Sequence, residues 1–174
     1  QCRYQQLGHI KCGQYCRHVP ANRQAFNANI KSWDVSSVTS MACCKIGGQL
    51  GGLFSEAKSF NTDLNGWDVS SVTGLNHVFS VASAFNSNLS AWDVSNVLQM
   101  GPHSDSGGRG MFYNAPAFNA DIAAWDVSNV RSFSQMFREA TAFNADIAPW
   151  DVASGTDMSH LFEWASAFNG ELNV

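Results

Sequence analysis

The tripeptide Ala-Phe-Asn or Ser-Phe-Asn recurs at Phe26, Phe60, Phe85, Phe118, Phe143 and Phe168, with spacings of 34, 25, 33, 25 and 25 residues. Seven residues after each of the first five phenylalanines stands a tryptophan: Trp33, Trp67, Trp92, Trp125 and Trp150. Each tryptophan is followed by Asp-Val, at Asp34-Val35, Asp68-Val69, Asp93-Val94, Asp126-Val127 and Asp151-Val152. This repetition constrains the fold more than any other feature. One 25-residue unit cannot bury its own apolar face, so it must be covered by its neighbours.

The second repeat carries no extra residues and shows the pattern plainly. Its apolar positions are Phe60, Leu64, Trp67, Val69, Val72, Leu75, Val78, Phe79 and Ala82. The two-residue step in Trp67-x-Val69 predicts a short strand, since alternate side chains of a strand face one side. The steps of three and four from Val72 to Ala82 predict a helical or 3-10 return. The expected fold is a repeat solenoid of about five 25-residue coils, with one parallel β-sheet and short helical or 3-10 returns. Eleven of the twelve phenylalanines fall in two columns, the six above and Phe54, Phe79, Phe112, Phe137 and Phe162. The expected core is Phe60, Trp67, Phe85, Trp92, Phe118, Trp125, Phe143 and Trp150.

Polar residues repeat as well. Asn27, Asn61, Asn86, Asn119, Asn144 and Asn169 form an expected Asn ladder, whose buried amides would satisfy backbone groups of the next coil. The aspartates after tryptophan would form another column, at about 4.8 Å per layer. Two carboxylates at that spacing repel by about 0.9 kcal/mol even in water. Ser36, Ser70, Ser95 and Ser128, two residues on, are positioned to offset this by hydrogen bonds. A calcium ladder is the sharper alternative, but no Gly-Asp loop of the calcium-binding β-roll kind accompanies the column.

Residues 25–174 form the repeat domain, five repeats and a partial sixth, and residues 1–24 a Cys-rich basic N-terminal cap. That leader carries Arg3, Lys11, Arg17 and Arg23 and no acid, whereas the rest has 6 basic and 14 acidic residues, giving +4 and −8. An acidic body argues against nucleic acid as a partner. The leader reads as a solvated cap; docking on an acidic partner or an anionic membrane surface is the alternative. No run of 18 apolar residues predicts a membrane span.

Cys2, Cys12, Cys16, Cys43 and Cys44 all lie in the first quarter, which predicts disulfides at one end of the molecule in an oxidising compartment. His9, Cys12, Cys16 and His18 have a tolerable but weak zinc spacing, so disulfides are preferred and no metal or other cofactor is expected. His77 and His160 share a repeat position, three layers apart, too far to share a metal. His103 beside Asp105 lacks a nucleophile elbow, and the Gly-rich stretches 47–52 and 107–110 lack the Lys-Ser/Thr of a phosphate loop. They read as flexible insertions, and no catalytic residues are expected.

The run Phe-Asn-x-Asp-Ile-x-x-Trp-Asp-Val-Ser-Asn-Val, followed by Met-Phe and Ala, is best seen from Ala117 to Ala140. It resembles the BspA-like surface-protein repeat, also known as the DUF285 or mycoplasma-type lipoprotein repeat, over residues 25–174. The resemblance implies a leucine-rich-repeat-like solenoid in a surface or secreted protein that takes part in adhesion or protein binding, with no family catalytic residues. The pattern weakens at Ala153-Ser154-Gly155, where Ser-Asn-Val is expected. The expected function is a non-catalytic interaction or adhesion module, extracellular or at the cell surface, with other proteins as partners. The alternative is a structural subunit of a large assembly, such as an organellar or photosynthetic membrane complex, in an organelle lumen or peripheral to its membrane. The two insertions, after Met41 and Met100, are the expected contact face, with Lys45, Gln49, Leu50, His103, Asp105 and Arg109 as contact candidates.

Overall fold

The computed structural model describes residues 23–42, 44–46, 49–102 and 108–172, and only the backbone of 44–46, 49 and 50. The expected parallel-sheet solenoid with helical returns does not form. Among the described residues, regular structure is confined to a 3-10 turn at Arg23–Ala25 and two strands, β1 (Cys44–Ile46) and β2 (Gln49–Gly51). These strands pair antiparallel within the first insertion, with Lys45 opposite Leu50.

The rest of each repeat is a chain of turns. In the second repeat, N–H groups of Trp67, Val72, Val78, Ser80, Ala82 and Phe85 donate to the carbonyls of Leu64, Val69, Leu75, His77, Phe79 and Ala82, each three residues back. Turns close before Trp67 and after Val69, leaving no length for a strand. Their side chains still face inward while Asp68 is exposed, so the alternation reported facing, not an extended ladder. Neighbouring repeats meet in isolated parallel bridges, Ser40–Gly74, Gly74–Gln99, Gln99–Ser132 and Ser132–Asp157, which never lengthen into a sheet. Beyond them the backbone turns left-handed, with φ of 66° at His77, 55° at Gln135 and 57° at His160. A second left-handed column follows at Glu56, Val81, Asn114, Glu139 and Trp164, with φ of 65°, 61°, 49°, 62° and 61°. Two such residues four positions apart leave no room for a helix in the return.

Stacked aromatics hold the turns together. One column runs through Phe60, Phe85, Phe118 and Phe143, with centroids 5.9, 6.1 and 6.0 Å apart. The other runs through Phe54, Phe79, Phe112 and Phe137 at 5.6, 5.6 and 5.7 Å. Within a layer the two columns touch, Phe79 to Phe85 at 3.8 Å and Phe112 to Phe118 at 3.7 Å. All these rings are fully buried, and each is worth about 1.5–3 kcal/mol by removal from water. The tryptophans cap the interior with a specific bond. Indole Nε1 of Trp67, Trp92, Trp125 and Trp150 donates to the carbonyl of Ile30, Leu64, Leu89 and Ile122 in the preceding repeat, at 3.3, 2.9, 3.0 and 3.1 Å.

The insertions leave this stack undisturbed because each opens inside one turn. The turn that Val78 N–H and the Leu75 carbonyl close in the second repeat is closed by Leu53 to Met41 and by Met111 to Met100 in the first and third. Gly52 and Gly110 make the return. A Cβ on Gly110 would lie 2.3 Å from the Gln135 carbonyl oxygen, and one on Gly52 2.4 Å from the Val78 backbone. These two glycines are close-packed junctions and not part of a flexible stretch.

Candidate functional site

Two polar columns run along the stack, one of asparagines and one of aspartates. Each Asn of the ladder is exposed, not buried, because the side chain folds along the backbone rather than under it. Its Oδ1 accepts the N–H of the next Asn, from Asn61 to Asn27 at 3.0 Å, then 2.8, 2.7, 2.7 and 3.0 Å through Asn86, Asn119, Asn144 and Asn169. The aspartates after tryptophan each cap their own turn. Oδ1 of Asp34, Asp68, Asp93 and Asp126 accepts both the hydroxyl and the N–H of Ser36, Ser70, Ser95 and Ser128. The serine hydroxyl first, then its N–H, hold the carboxyls of Asp34, Asp68 and Asp126 below their ordinary range. Among the described residues no three metal-ligating side chains converge.

The edge at the exit of the second insertion is chemically different. There the long side chains of Arg109, Tyr113, Arg138 and Trp164 gather. Arg109, at the exit of the second insertion, lies over the Tyr113 ring at 5.3 Å and contacts Glu56 at 3.7 Å. Arg138 lies between two rings, 5.8 Å from Tyr113 and 4.7 Å from Trp164. It pairs with Glu163 at 3.1 Å, which also meets His160 Nδ1 at 2.8 Å. The Tyr113 hydroxyl donates to Glu139 at 3.1 Å, and burial followed by this carboxylate raises its pKa. Trp164 is 62% exposed, the larger exposure of the two large apolar residues that stand out in the described surface.

His77 ties this edge to the insertion. Its Nε2 accepts the Arg109 N–H at 3.0 Å, and burial, then the Arg109 charge, lowers its pKa to about 4. His77 and His160 share the left-handed backbone position but not a role, since His160 is exposed and paired with Glu163. A third surface lies on the bridge side, an open groove of about 940 Å³ lined by Leu98, Gln99, Arg131, Ser132, Ser154, Thr156 and Asp157. It opens where Ala153-Ser154-Gly155 departs from the repeat. Phe133, outside both phenylalanine columns, packs there on Trp150 at 6.2 Å, and its ring would lie 3.4 Å from a Cβ on Gly155.

Of the contact candidates, Arg109 is placed on the edge. His103 and Asp105 lie outside the described residues, and Lys45, Gln49 and Leu50 are described only as backbone in β1 and β2. Cys2, Cys12, Cys16 and Cys43 also lie outside, as do His9 and His18, and Cys44 is described only as backbone. Sequence reasoning missed Tyr113, Arg138 and Trp164 because their columns hold no repeating residue type. The signal available was the clustering of Arg, Tyr and Trp one or two positions past the second phenylalanine column.

A family model described as "Mycoplasma protein of unknown function, DUF285" matches residues 15–103 and 108–174. The chain belongs to this family. The interruption in the DUF285 match falls within the second insertion, and its first segment begins inside the Cys-rich leader. No curated protein and no solved structure matches the chain. Among the described residues no helix is long and apolar enough to cross a membrane.

Proposed function

We propose that this DUF285 chain is a non-catalytic protein-interaction module, secreted or displayed at a cell surface, that presents the edge from Arg109 to Trp164 to a protein partner. One observation carries the reading: an indole 62% exposed, stacked on Arg138, which itself lies over Tyr113. Trp, Tyr and Arg are the residues that dominate binding energy at protein interfaces, where neighbouring paired charges exclude water around them. The ion pairs to Glu56, Glu139 and Glu163 leave the edge nearly neutral, so recognition there rests on shape and stacking more than on long-range steering.

A photo-crosslinking side chain at position 113, compared with one at position 144 on the Asn ladder, tests this on intact source cells. Adducts should form from position 113 only, and Arg138→Ala or Trp164→Ala should lower their yield about tenfold, as hot-spot truncations do. Equal yields from both positions, or none from 113, would reject the edge.

A further inference from the structure

Between its ladder asparagine and its tryptophan each repeat makes one small turn. A side-chain Oδ1 there accepts the N–H of the residue two positions on. Asn29 accepts from Lys31 at 3.2 Å, Asp63 from Asn65 at 3.0 Å and Asn88 from Ser90 at 2.8 Å. Asp121 accepts from Ala123 and Asp146 from Ala148, both at 3.0 Å. Only the third repeat combines asparagine with serine in this turn. Asn88-Leu89-Ser90 is the one Asn-x-Ser/Thr triplet of the sequence, the pattern that accepts an N-linked glycan on the surface of a secreted protein. Asn88 and Ser90 are both exposed. Leu89 between them is fully buried, and its carbonyl accepts Trp125 Nε1 at 3.0 Å, which ties the turn to the next repeat.

From this turn we infer that Asn88 carries an N-linked oligosaccharide on its Nδ2. This rests on the secreted or surface-displayed reading above and adds to it a modified residue. The donor is a lipid-pyrophosphate-linked oligosaccharide, met in a secretory compartment. Nδ2 attacks the anomeric carbon of its first sugar and loses one proton. The bond from that carbon to the phosphate oxygen breaks, and the lipid pyrophosphate leaves. The turn uses Oδ1 alone, so a sugar on Nδ2 leaves the bond from Ser90 N–H in place. Asn96 and Asn129 differ, because their Nδ2 donates to the Ser70 and Ser95 carbonyls at 2.9 and 2.8 Å. A sugar on either would disturb a bond between repeats. The Ser90 hydroxyl is exposed for the transferring enzyme to read.

The test recovers the chain from the medium or the labelled surface of source cells. Mass spectrometry then maps the peptide that contains Asn88, before and after treatment with a peptide-N-glycosidase. The expected result is a glycan at Asn88, released with conversion of that residue to aspartate. Ser90→Ala should abolish the glycan while keeping Asn88 and its turn, since Ala123 and Ala148 close the same turn in later repeats. Ser90→Thr should retain it. Asn88→Asp supplies an unmodified reference that folds, because Asp63, Asp121 and Asp146 hold that position in three other repeats. A chain recovered from the medium or surface with bare Asn88, or a glycan that persists in Ser90→Ala, would overturn the inference and leave the surface reading standing. A chain found only inside the cell, beyond reach of the label, would reject that reading and this inference with it.

Discussion

The middle of the stack and its last described repeat are built from the same residues but sit in different surroundings. Phe79, Phe85 and Phe112 have a ring above and below and are fully buried. Phe162 and Phe168 touch each other at 3.9 Å and the previous layer at 5.8 and 5.7 Å, and remain half-buried. The first repeat resembles the middle: Phe54 is fully buried, and the Arg23 guanidinium covers two of its carbonyls. That burial lowers the Arg23 pKa, with Glu56 opposing, a cost accepted where carbonyls need a donor. A layer in this fold is therefore stable in proportion to what covers it.

The largest effect expected from this difference is at the tryptophans. Trp92→Ala removes an indole with layers on both sides and its bond to the Leu64 carbonyl, and should cost about 3–5 kcal/mol in chemical denaturation. Trp33→Ala, at a half-buried position, should cost clearly less. Equal losses would mean that burial by neighbouring layers does not set stability.

Next comes a pH effect confined to the middle. His77 is buried and neutral, with a folded pKa of about 4 against an ordinary value of 6.5. The unfolded chain therefore takes up the proton first as the medium is acidified. Stability contributed by the neutral ring is complete above pH 6.5 and falls as pH drops toward 4, by about 1.4 kcal/mol per unit and about 3 kcal/mol across the window. His77→Gln keeps an acceptor for the Arg109 N–H and should flatten the profile between pH 6.5 and 5. A slope that survives His77→Gln would place the titrating group elsewhere.

Gly110→Ala should follow, at about 2 kcal/mol, because its Cβ would lie 2.3 Å from the Gln135 carbonyl and force backbone to shift. Replacing residues 101–110 by the two-residue link Asn76-His77 should restore most of that loss, since the same turn is then closed without the junction. A shortened chain less stable than Gly110→Ala would show the insertion to be part of the core.

Much of this arrangement was legible in the sequence, but as columns, not as conformation. The residues at Phe60, Trp67, Val69 and Phe79 could be assigned to the interior from spacing alone, and the Asp–Ser caps from their two-residue offset. The backbone between them could not. Trp67-x-Val69 satisfies the period of a strand and of two flanking turns equally, and Val72 to Ala82 satisfies that of a helix and of successive turns. Left-handed residues decide between them, and nothing at Val81, Glu139 or Trp164 announces a φ near 60°, because these are not glycine or asparagine. The same blindness hid the edge that Trp164 shares with Arg138 and Tyr113.

That left-handed column supplies the smallest and most discriminating contrast. Val81 and Trp164 both sit at φ 61°, a conformation that costs an ordinary side chain about 1–3 kcal/mol and a β-branched one the most. Asparagine tolerates it. Val81→Asn should therefore relieve strain and lose a half-buried apolar side chain, for a net gain of up to about 1 kcal/mol. Trp164→Asn relieves strain at the same backbone position but removes the indole stacked 4.7 Å from Arg138, a contact worth about 0.5–1 kcal/mol at an exposed site. Its stability should change little in either direction, while crosslinking from the Tyr113 edge should fall sharply. A bulky residue held at a strained position where it adds nothing to stability is kept for what it touches. If Trp164→Asn instead destabilised the chain as much as a core truncation, the indole would belong to the stack, and the edge would lose its anchor.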